Sequence, residues 1–316
     1  MNGPLTPDEG IVTIRAVLAD AERRLAAAGV PSPAVDAAEL LALVRGVRRN
    51  RLLMSDPVPD VELVRFESLL LRRAARVPLQ HLTGMAGFRR LDLQVGPGVF
   101  VPRPETELVA EVALRTINAG SGRQLVLDLC AGSGAIGLAI ATEACDVDVI
   151  AVEIEPSAVE WAERNAASLG VKIAERGSTY RLILADAGEL GQREQPLAEI
   201  AGRVDIVVAN PPYIPDDAVP RDPEVREHDP RAALYGGPDG LRVVRLIVDS
   251  AVRLLRPGGL LIIEHGDEQG ELSSGEGVPA VIRAAETESG PAFAAVIDRP
   301  DLNGRPRFTM AKRVLQ

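Results

Sequence analysis

Cysteine and histidine are scarce in this sequence, and each scarcity excludes a kind of site. The 316 residues include only Cys130 and Cys145, and only His81, His228 and His265. Two cysteines do not make the framework of pairs that stabilises small secreted domains. The three histidines are scattered, without the spacing typical of a metal site. We therefore expect neither a disulfide framework nor a bound metal.

Long uncharged apolar runs and an excess of positive charge are also missing. The most apolar stretch, residues 125–152, is interrupted by acidic side chains, so no membrane-spanning helix is predicted. Residues 1–10 are polar and contain proline, unlike a secretory signal peptide. The formal net charge is −10, whereas nucleic-acid binders are usually basic. We expect a cytoplasmic protein that binds neither membranes nor nucleic acid directly.

What the sequence does contain is 46% hydrophobic residues, arranged in two different periodicities. Up to residue 79, helical spacing predicts a small helical bundle, in which Arg72, Arg73 and Arg76 are expected to be solvated. Residues 81–101 alternate weakly and predict a β-hairpin that turns at Gly96-Pro97-Gly98. We therefore divide the chain into a helical domain (1–79), a hairpin linker (80–103) and a larger domain (104–316).

Strand and helix patterns alternate in the larger domain, which predicts a parallel, doubly wound α/β sheet. A short turn at Asn303-Gly304 makes the last pair of strands antiparallel. Strands are predicted near 125–129, 147–153, 180–185, 204–209, 259–264, 293–298 and 307–313. Helices are predicted near 134–144, 156–169, 239–255 and 278–289.

The most informative segment is Val204–Tyr213, a β-branched apolar strand that stops at Asn210-Pro211-Pro212-Tyr213. Proline cannot donate to a sheet, so the strand ends there and presents Asn210 at its carboxyl end. Ligands of open α/β sheets bind at that edge. An amide beside proline-fixed carbonyls can hold an NH₂ group, with Tyr213 as a flat neighbour. The same residues would also suit a strand-ending turn.

A second motif follows the strand at 125–129, where Cys130-Ala131-Gly132-Ser133-Gly134 leads into a helix. Glycines allow the backbone to approach a ligand closely, and the helix offers free N–H groups. Glu153 ends the next strand, where an acid can accept hydrogen bonds from ribose hydroxyls. Gly132-x-Gly134-x-x-Gly137 also fits a dinucleotide-binding pattern, so NAD binding is the natural competitor. Hydride transfer, however, does not need the Asn-Pro-Pro-Tyr segment.

Together these motifs resemble the S-adenosylmethionine-dependent amino methyltransferases. Further segments resemble the protein-(glutamine-N5) methyltransferases that modify peptide release factors, and the resemblance covers roughly residues 10 to 313. These segments are Gln80–Gly84, Phe88, Val101–Val109, Asp229–Gly237, Asp239–Leu241, Leu255–Gly259, Glu264–Gly266 and Asp301–Arg307.

The resemblance implies a Rossmann-like class I methyltransferase sheet, S-adenosyl-L-methionine as methyl donor, and release factors 1 and 2 as protein partners. It implies that the helical domain recognises the release factor. The implied catalytic residues are Asn210, Pro211 and Tyr213. Substrate binding is implied for these three residues and also for Pro212, Arg103 and Glu105. Cofactor binding is implied for Cys130, Ala131, Gly132, Ser133, Gly134, Glu153, Ile154, Asp186, Ala187 and Asn210.

Two positions depart from the pattern of the family. Relatives often carry an aromatic residue where this chain has Ala187, so adenine stacking is in doubt and the contact passes to Asp186 or Ile154. Cys130 replaces a common glycine, which suggests that its φ angle is negative.

Several functions remain open at this point. Within glutamine methylation, the substrate could be a ribosomal protein instead of a release factor, although Pro102–Glu107 favours the release factor. A nucleic-acid amino methyltransferase is disfavoured by the acidic charge. A non-catalytic nucleotide-binding protein would not need the amide of Asn210. The long charged loop from Ile214 to Leu241 is expected to shape a peptide entrance.

Overall fold

The computed structural model describes residues 13–54, 57–271 and 277–315. The chain divides into two compact units. One comprises the residues up to Gly84 together with Asp222–His228, and the other comprises Met85–Arg221 with the residues from Asp229 onwards. In the described ranges, no helix has both the length and the apolarity needed to cross a bilayer. Residues 1–10, for which the sequence predicts no signal peptide, lie outside these ranges.

Helices dominate the amino-terminal part, and strands alternate with helices after it. The described α-helices are α1 (Ile14–Ala27), α2 (Pro33–Arg45), α3 (Asp60–Ala74), α4 (Leu79–Thr83), α5 (Glu107–Ala119), α6 (Ala135–Glu143), α7 (Pro156–Glu175), α8 (Pro223–His228), α9 (Arg231–Leu234), α10 (Arg242–Leu254) and α11 (Val278–Arg283). The described strands are β1 (Met85–Phe88), β2 (Leu91–Gln94), β3 (Gln124–Leu129), β4 (Val147–Glu153), β5 (Thr179–Leu184), β6 (Val204–Ala209), β7 (Leu255–Glu264), β8 (Glu286–Thr287), β9 (Gly290–Pro291), β10 (Phe293–Pro300) and β11 (Pro306–Arg313). Short 3₁₀ turns occupy Arg49–Met54, Pro104–Thr106, Ala198–Ile200 and Asp267–Gln269.

The amino-terminal bundle forms because its apolar side chains recur at helical spacing. In α1, Ile14, Val17, Ala21 and Leu25 are buried. The helix ends just before Gly29, whose φ of +73° is the left-handed conformation that commonly terminates helices. The predicted helical bundle is thereby confirmed.

The second unit is built on one seven-stranded sheet with the order β10-β11-β7-β6-β3-β4-β5. The five strands from β7 to β5 are parallel, whereas β11 runs antiparallel to both β7 and β10. This is the mostly parallel sheet that the resemblance to class I methyltransferases implies, with the antiparallel last pair that the Asn303-Gly304 turn predicts.

Alternating apolar side chains place one hydrophobic cluster on each face of the sheet. Val126 and Val208 pack on one face against α5 and α6. Leu127 and Val207 pack on the other face against α10 and α11. Fully burying a side chain of this size stabilises the fold by about 1.5–3 kcal/mol, so the two faces together hold the carboxyl ends of the strands in fixed register.

Two sequence-based predictions for the second unit are wrong. The hairpin does not turn at Gly96-Pro97-Gly98, because β1 pairs with β2 across Arg89 and Arg90. Arg89 adopts a φ of +53°. Such an angle is usually indicated in a sequence by glycine or asparagine, and neither residue stands at this turn. Instead, Glu143 and Glu111 fix its guanidinium at 2.8 and 2.9 Å.

The last helix is also shorter than predicted. It ends at Arg283, and the residues up to 289 enter the small hairpin of β8 and β9. Gly290, at φ +120°, and Pro291 pair with Glu286 and Thr287 in that hairpin, which takes up the residues predicted to form the last turn of the helix.

Candidate active site

The site lies where the parallel strands end at one edge of the sheet. Leu129 of β3 pairs with Ala209 of β6 and with Val152 of β4. Consequently Cys130, Asn210 and Glu153, the next residues of the three strands, stand side by side. The chain runs from β3 outward through β4 and β5 and then returns to β6 on the other side of β3. The pair β3–β6 is therefore the topological switch point, where α/β sheets bind ligands.

The segment after β6 is held in place by its neighbours. Pro211 and Pro212 are buried, whereas Asn210 and Tyr213 are half-buried. The turn at Gly236–Gly240 packs on this backbone so closely that a Cβ at Gly240 would lie 2.2 Å from the carbonyl oxygen of Tyr213. Gln269 also donates its Nε2 to that oxygen at 2.9 Å. The glycines of this turn are thus required by close backbone contact.

Asn210 contacts a side chain to which the sequence analysis assigned no role. Its Nδ2 donates to the Oγ1 of buried Thr106 at 3.3 Å. Thr106 in turn lies close enough to the carboxyl group of Glu264 to lower the pKa of that group; Glu264 ends β7 and is buried. Burial raises the pKa of Glu264 to about 7, while Thr106 and Arg307 partly oppose that rise.

Tyr213 lies in the same surroundings. Burial and the nearby Glu264 carboxyl raise the pKa of its phenol to about 12. The hydroxyl is therefore protonated at neutral pH, which leaves the ring as a neutral packing surface.

The glycine loop after β3 is shaped by hydrogen bonds to fixed groups. The N–H of Gly132 donates to Oε2 of Glu153 at 2.8 Å, and the N–H of Gly134 donates to the carbonyl of Ala131 at 2.8 Å. The carbonyl of Ser133 accepts from Asn165 Nδ2 at 3.0 Å. Gly132 has a φ of +57° with open space at its Cβ position, so a ligand can approach the loop there.

Cys130 begins this loop with a φ of +60°, which corrects the prediction of a negative angle. The glycine common at this position is explained by that angle, because a Cβ is unfavourable in the left-handed region. Burial and the nearby carboxylates of Glu153, Asp128 and Asp186 raise the pKa of the Cys130 thiol. The thiol is therefore neutral at neutral pH, and Cys130 lines the loop with an unreactive side chain.

Glu153 contacts more of the chain than the sequence suggests. Besides Gly132, its carboxylate accepts hydrogen bonds from the N–H groups of Ile154 and Glu155 at 2.8 and 2.9 Å. Two carboxylate oxygens offer about four acceptor positions, so capacity for a ribose hydroxyl remains. Its first function is therefore to fix the glycine loop to the end of β4.

The residues proposed to hold adenine follow β5, except Ile154, which follows β4. Asp186 accepts from the N–H of Gly188 at 2.8 Å, which closes a local turn. Ala187 is buried in the cluster that includes Val248 and Leu190. Ile154, which directly follows β4, is 54% exposed, so its apolar side chain is open to contact.

Arg103 and Glu105 lie just before α5. Arg103 stacks on Phe100 with its guanidinium carbon 5.0 Å from the ring centroid. It also donates to Oδ2 of Asp229 at 2.8 Å. Burial raises the pKa of Asp229 to about 6, opposed by Arg103.

Thr106, Glu264, Arg307 and Asp229 were all missed as site residues. Glu264 could have been found by the argument that found Asn210, because each residue directly follows a buried apolar run at the end of a parallel strand. The described residues include no group of three or more His, Cys, Asp or Glu side chains placed to hold a metal ion.

Family models match both parts of the chain. The model of the PrmC N-terminal domain matches residues 16–84, and a methyltransferase domain model matches residues 122–296. The release factor glutamine methyltransferase of Streptomyces coelicolor is 46% identical over 303 residues, covering 95% of this chain and 98% of the relative. The protein of the same name from Mycolicibacterium smegmatis is 45% identical over 302 residues, with coverages of 95% and 98%. The chain therefore belongs to the release factor glutamine methyltransferase family.

Proposed function

We propose that this protein transfers a methyl group from S-adenosyl-L-methionine to the side-chain amide nitrogen of glutamine in the Gly-Gly-Gln motif of release factors 1 and 2. The observation that carries the proposal is the position of Asn210 at the switch point, directly beside the glycine loop. An amide at that place can align an amide nitrogen with a methyl donor. The names of the relatives support release factors as the substrate class, and we propose the cytoplasm as the place of the reaction.

The residues at the ends of β3, β4 and β5 fit the proposed methyl donor. Gly132 leaves open space where a side chain would otherwise stand, and α6 begins directly after Gly134 with the free N–H groups of a helix start. Backbone groups of Cys130, Ala131, Gly132, Ser133 and Gly134 would hold the methionine part. Glu153 would accept from the ribose, and Ile154, Asp186 and Ala187 would border adenine. When bound, S-adenosyl-L-methionine supplies an electrophilic methyl group on a sulfonium sulfur, which keeps the bonding electrons as the methyl group leaves.

The protein's part in the reaction is to orient a weak nucleophile. The lone pair of an amide nitrogen is delocalised into its carbonyl group. The Oδ1 of Asn210 and the carbonyl of Pro211 would accept hydrogen bonds from the two amide hydrogens, which increases electron density on nitrogen. Tyr213 would pack against the amide plane. Orientation of this kind can lower a barrier by up to about 7–11 kcal/mol.

No side-chain base is required by this arrangement. After methyl transfer the nitrogen is strongly acidic, so it can release one of its two hydrogens as a proton to solvent. Tyr213 is unsuited to take that proton as a phenolate, because burial raises its pKa to about 12.

The remaining residues would recognise the protein substrate. Arg103 and Glu105, near the start of α5, would contact the peptide around the glutamine, with Pro212 shaping the backbone. The amino-terminal helical region, proposed as residues 1–79 and joined by a linker at 80–103 to the methyltransferase domain at 104–316, would bind the body of the release factor. The segment from Ile214 to Leu241, which includes α8 and α9, would border the peptide entrance.

Methyl transfer from labelled S-adenosyl-L-methionine tests the proposal. Purified release factor is compared with a variant whose Gly-Gly-Gln glutamine is replaced by asparagine, with a ribosomal-protein mixture and with DNA. Label that enters the factor and is lost with the glutamine supports the proposal. Label confined to the ribosomal mixture or to DNA would instead move the substrate to one of the alternatives. Cofactor binding without transfer to any acceptor would favour a non-catalytic role.

A further inference from the structure

The side chains of Asn210, Thr106 and Glu264 come from three different elements and lie next to one another. Ala209 of β6 pairs with Ile263 of β7, so Asn210 and Glu264 occupy matching positions at the ends of adjacent strands. In a parallel pair, residues in register direct their side chains to the same face of the sheet. Thr106, just before α5, lies on that face and contacts Asn210 at 3.3 Å.

Donor and acceptor capacities determine the direction of these hydrogen bonds. An ionised carboxylate only accepts, whereas a threonine hydroxyl donates once and accepts through its lone pairs. If Glu264 is ionised, the hydroxyl hydrogen of Thr106 is directed to Glu264. The Thr106 oxygen can then only accept from Asn210, which places the Nδ2 of Asn210 toward Thr106. The Oδ1 of Asn210 is consequently directed away from Thr106 and is free to accept from a substrate.

We propose that Glu264 and Thr106 are positioning residues that hold the Asn210 amide with its oxygen toward the glutamine substrate. This inference rests on the proposed function, because it concerns how the same site aims its acceptor. It adds two residues, neither of which touches the reacting atoms. The Oε2 of Glu264 is buried without a hydrogen-bond partner among the described residues, which is a costly arrangement for a group with no function.

Protonation of Glu264 would remove the constraint. A neutral carboxyl can donate to Thr106, and the Thr106 hydroxyl can then donate to Asn210, so either orientation of the amide becomes possible. The charged and titratable groups around Glu264 are Arg307 on β11, Glu105 beside Thr106, and Tyr213 after β6. The adjacent His265 faces Asp298 and Thr309. Since burial raises the pKa of Glu264 to about 7, kcat is expected to rise with pH across neutrality.

The test compares methyl transfer to release factor by the full-length protein and three variants. Thr106→Val is expected to lower kcat by about 10- to 100-fold, since misplacing a reacting group costs about that much. Its affinity for S-adenosyl-L-methionine should stay within about threefold. Thr106→Ser keeps the hydroxyl and should restore transfer. Glu264→Gln should lose the rise of kcat near pH 7, because an amide does not titrate.

Three outcomes would overturn the inference. The first is a kcat of Thr106→Val equal to that of the wild type. The second is a folded Thr106→Ser variant that transfers methyl groups no faster than Thr106→Val. The third is a pH profile of kcat for Glu264→Gln that is the same as that of the wild type. Circular dichroism checks that each variant is folded. If Thr106→Val does not fold, the pH profile of kcat for Glu264→Gln tests the positioning role by itself. Absence of transfer by the wild-type protein would instead count against the proposed function.

Discussion

At the scale of single residues, the site depends on backbone angles and hydrogen bonds as much as on side-chain identity. The sequence predicted three candidate site residues, Asn210, Cys130 and Glu153, because each stands at the end of a strand pattern. Thr106 was not found, because its contact with Asn210 spans 104 positions and no local pattern signals it. The angle of Cys130 was predicted with the wrong sign, since a cysteine side chain gives no sign of a left-handed backbone.

The positive φ of Cys130 leads to a stability prediction. A side chain in the left-handed region costs roughly 1–2 kcal/mol relative to a residue without Cβ. Cys130→Gly should therefore unfold at a higher urea concentration than Cys130→Ala, with a difference of about 1 kcal/mol in the free energy of unfolding. Both variants lose the thiol, so the comparison isolates the backbone angle. An alanine variant more stable than the glycine variant would contradict the account.

At the scale of elements, α8 is held by ion pairs to other residues of its own compact unit. Residues Asp222–His228 belong to the same compact unit as the amino-terminal bundle. Glu224 binds the Nη2 of Arg73 at 2.8 Å and the Nη2 of Arg76 at 2.6 Å. Burial opposes ionisation of Glu224, but the hydrogen bonds from Arg76 and Arg73 lower its pKa to about 2. The expectation that Arg73 and Arg76 are solvated is therefore wrong, and Arg73 is buried.

Removing this ion-pair cluster should release α8 from the bundle. Among the described residues, Glu224→Ala leaves Asp36 as the one acidic partner of the buried Arg73 guanidinium. Amide hydrogen exchange of residues 223–228 is expected to become at least about tenfold faster, the equivalent of 1.4 kcal/mol. The matched control is Glu227→Ala, whose exposed side chain forms an ion pair with neighbouring Arg226 and none of the hydrogen bonds that Glu224 accepts from Arg73 and Arg76 in the described part of the chain. Equal exchange in both variants would show that Glu224 does not anchor the helix.

Element prediction from the sequence succeeded where the hydrophobic period was clear. The parallel strands were placed within a few residues because each contains a short apolar run. The β1–β2 hairpin was misplaced because its turn is Arg89-Arg90, held by distant glutamates and not by turn-forming residues. Tertiary ion pairs of this kind leave no trace in a local window of sequence.

At the scale of the whole molecule, buried carboxyl groups set the dependence of stability on pH. Burial raises the pKa of Asp128 and of Glu264 to about 7 and that of Asp229 to about 6. A carboxyl whose pKa is higher in the folded state binds its proton more tightly when folded. Its contribution to stability is therefore fully present below its unfolded pKa of about 4 and is lost as pH rises from that value through the folded pKa. By contrast, the carboxyls with lowered pKa values, such as Glu224, already contribute fully by pH 5.5.

The thermal midpoint of unfolding should consequently decrease by about 5 °C or more when the pH is raised from 5.5 to 8. Differential scanning calorimetry at constant ionic strength measures it. Asp128→Asn keeps an acceptor for the N–H of Gly137, which Asp128 binds at 2.8 Å, but cannot titrate. That variant should show a smaller fall. A midpoint that rises over this range would contradict the raised pKa values.

The most direct test of the account as a whole is the effect of Asn210→Ala on turnover and on cofactor affinity, measured separately. Single-turnover methyl transfer to release factor gives the first quantity, and isothermal titration with S-adenosyl-L-methionine gives the second. Because Asn210 is proposed mainly to aim the amide nitrogen, transfer should fall by at least about 100-fold while the Kd for the methyl donor changes by less than about threefold. Retention of full transfer by Asn210→Ala would contradict the central claim.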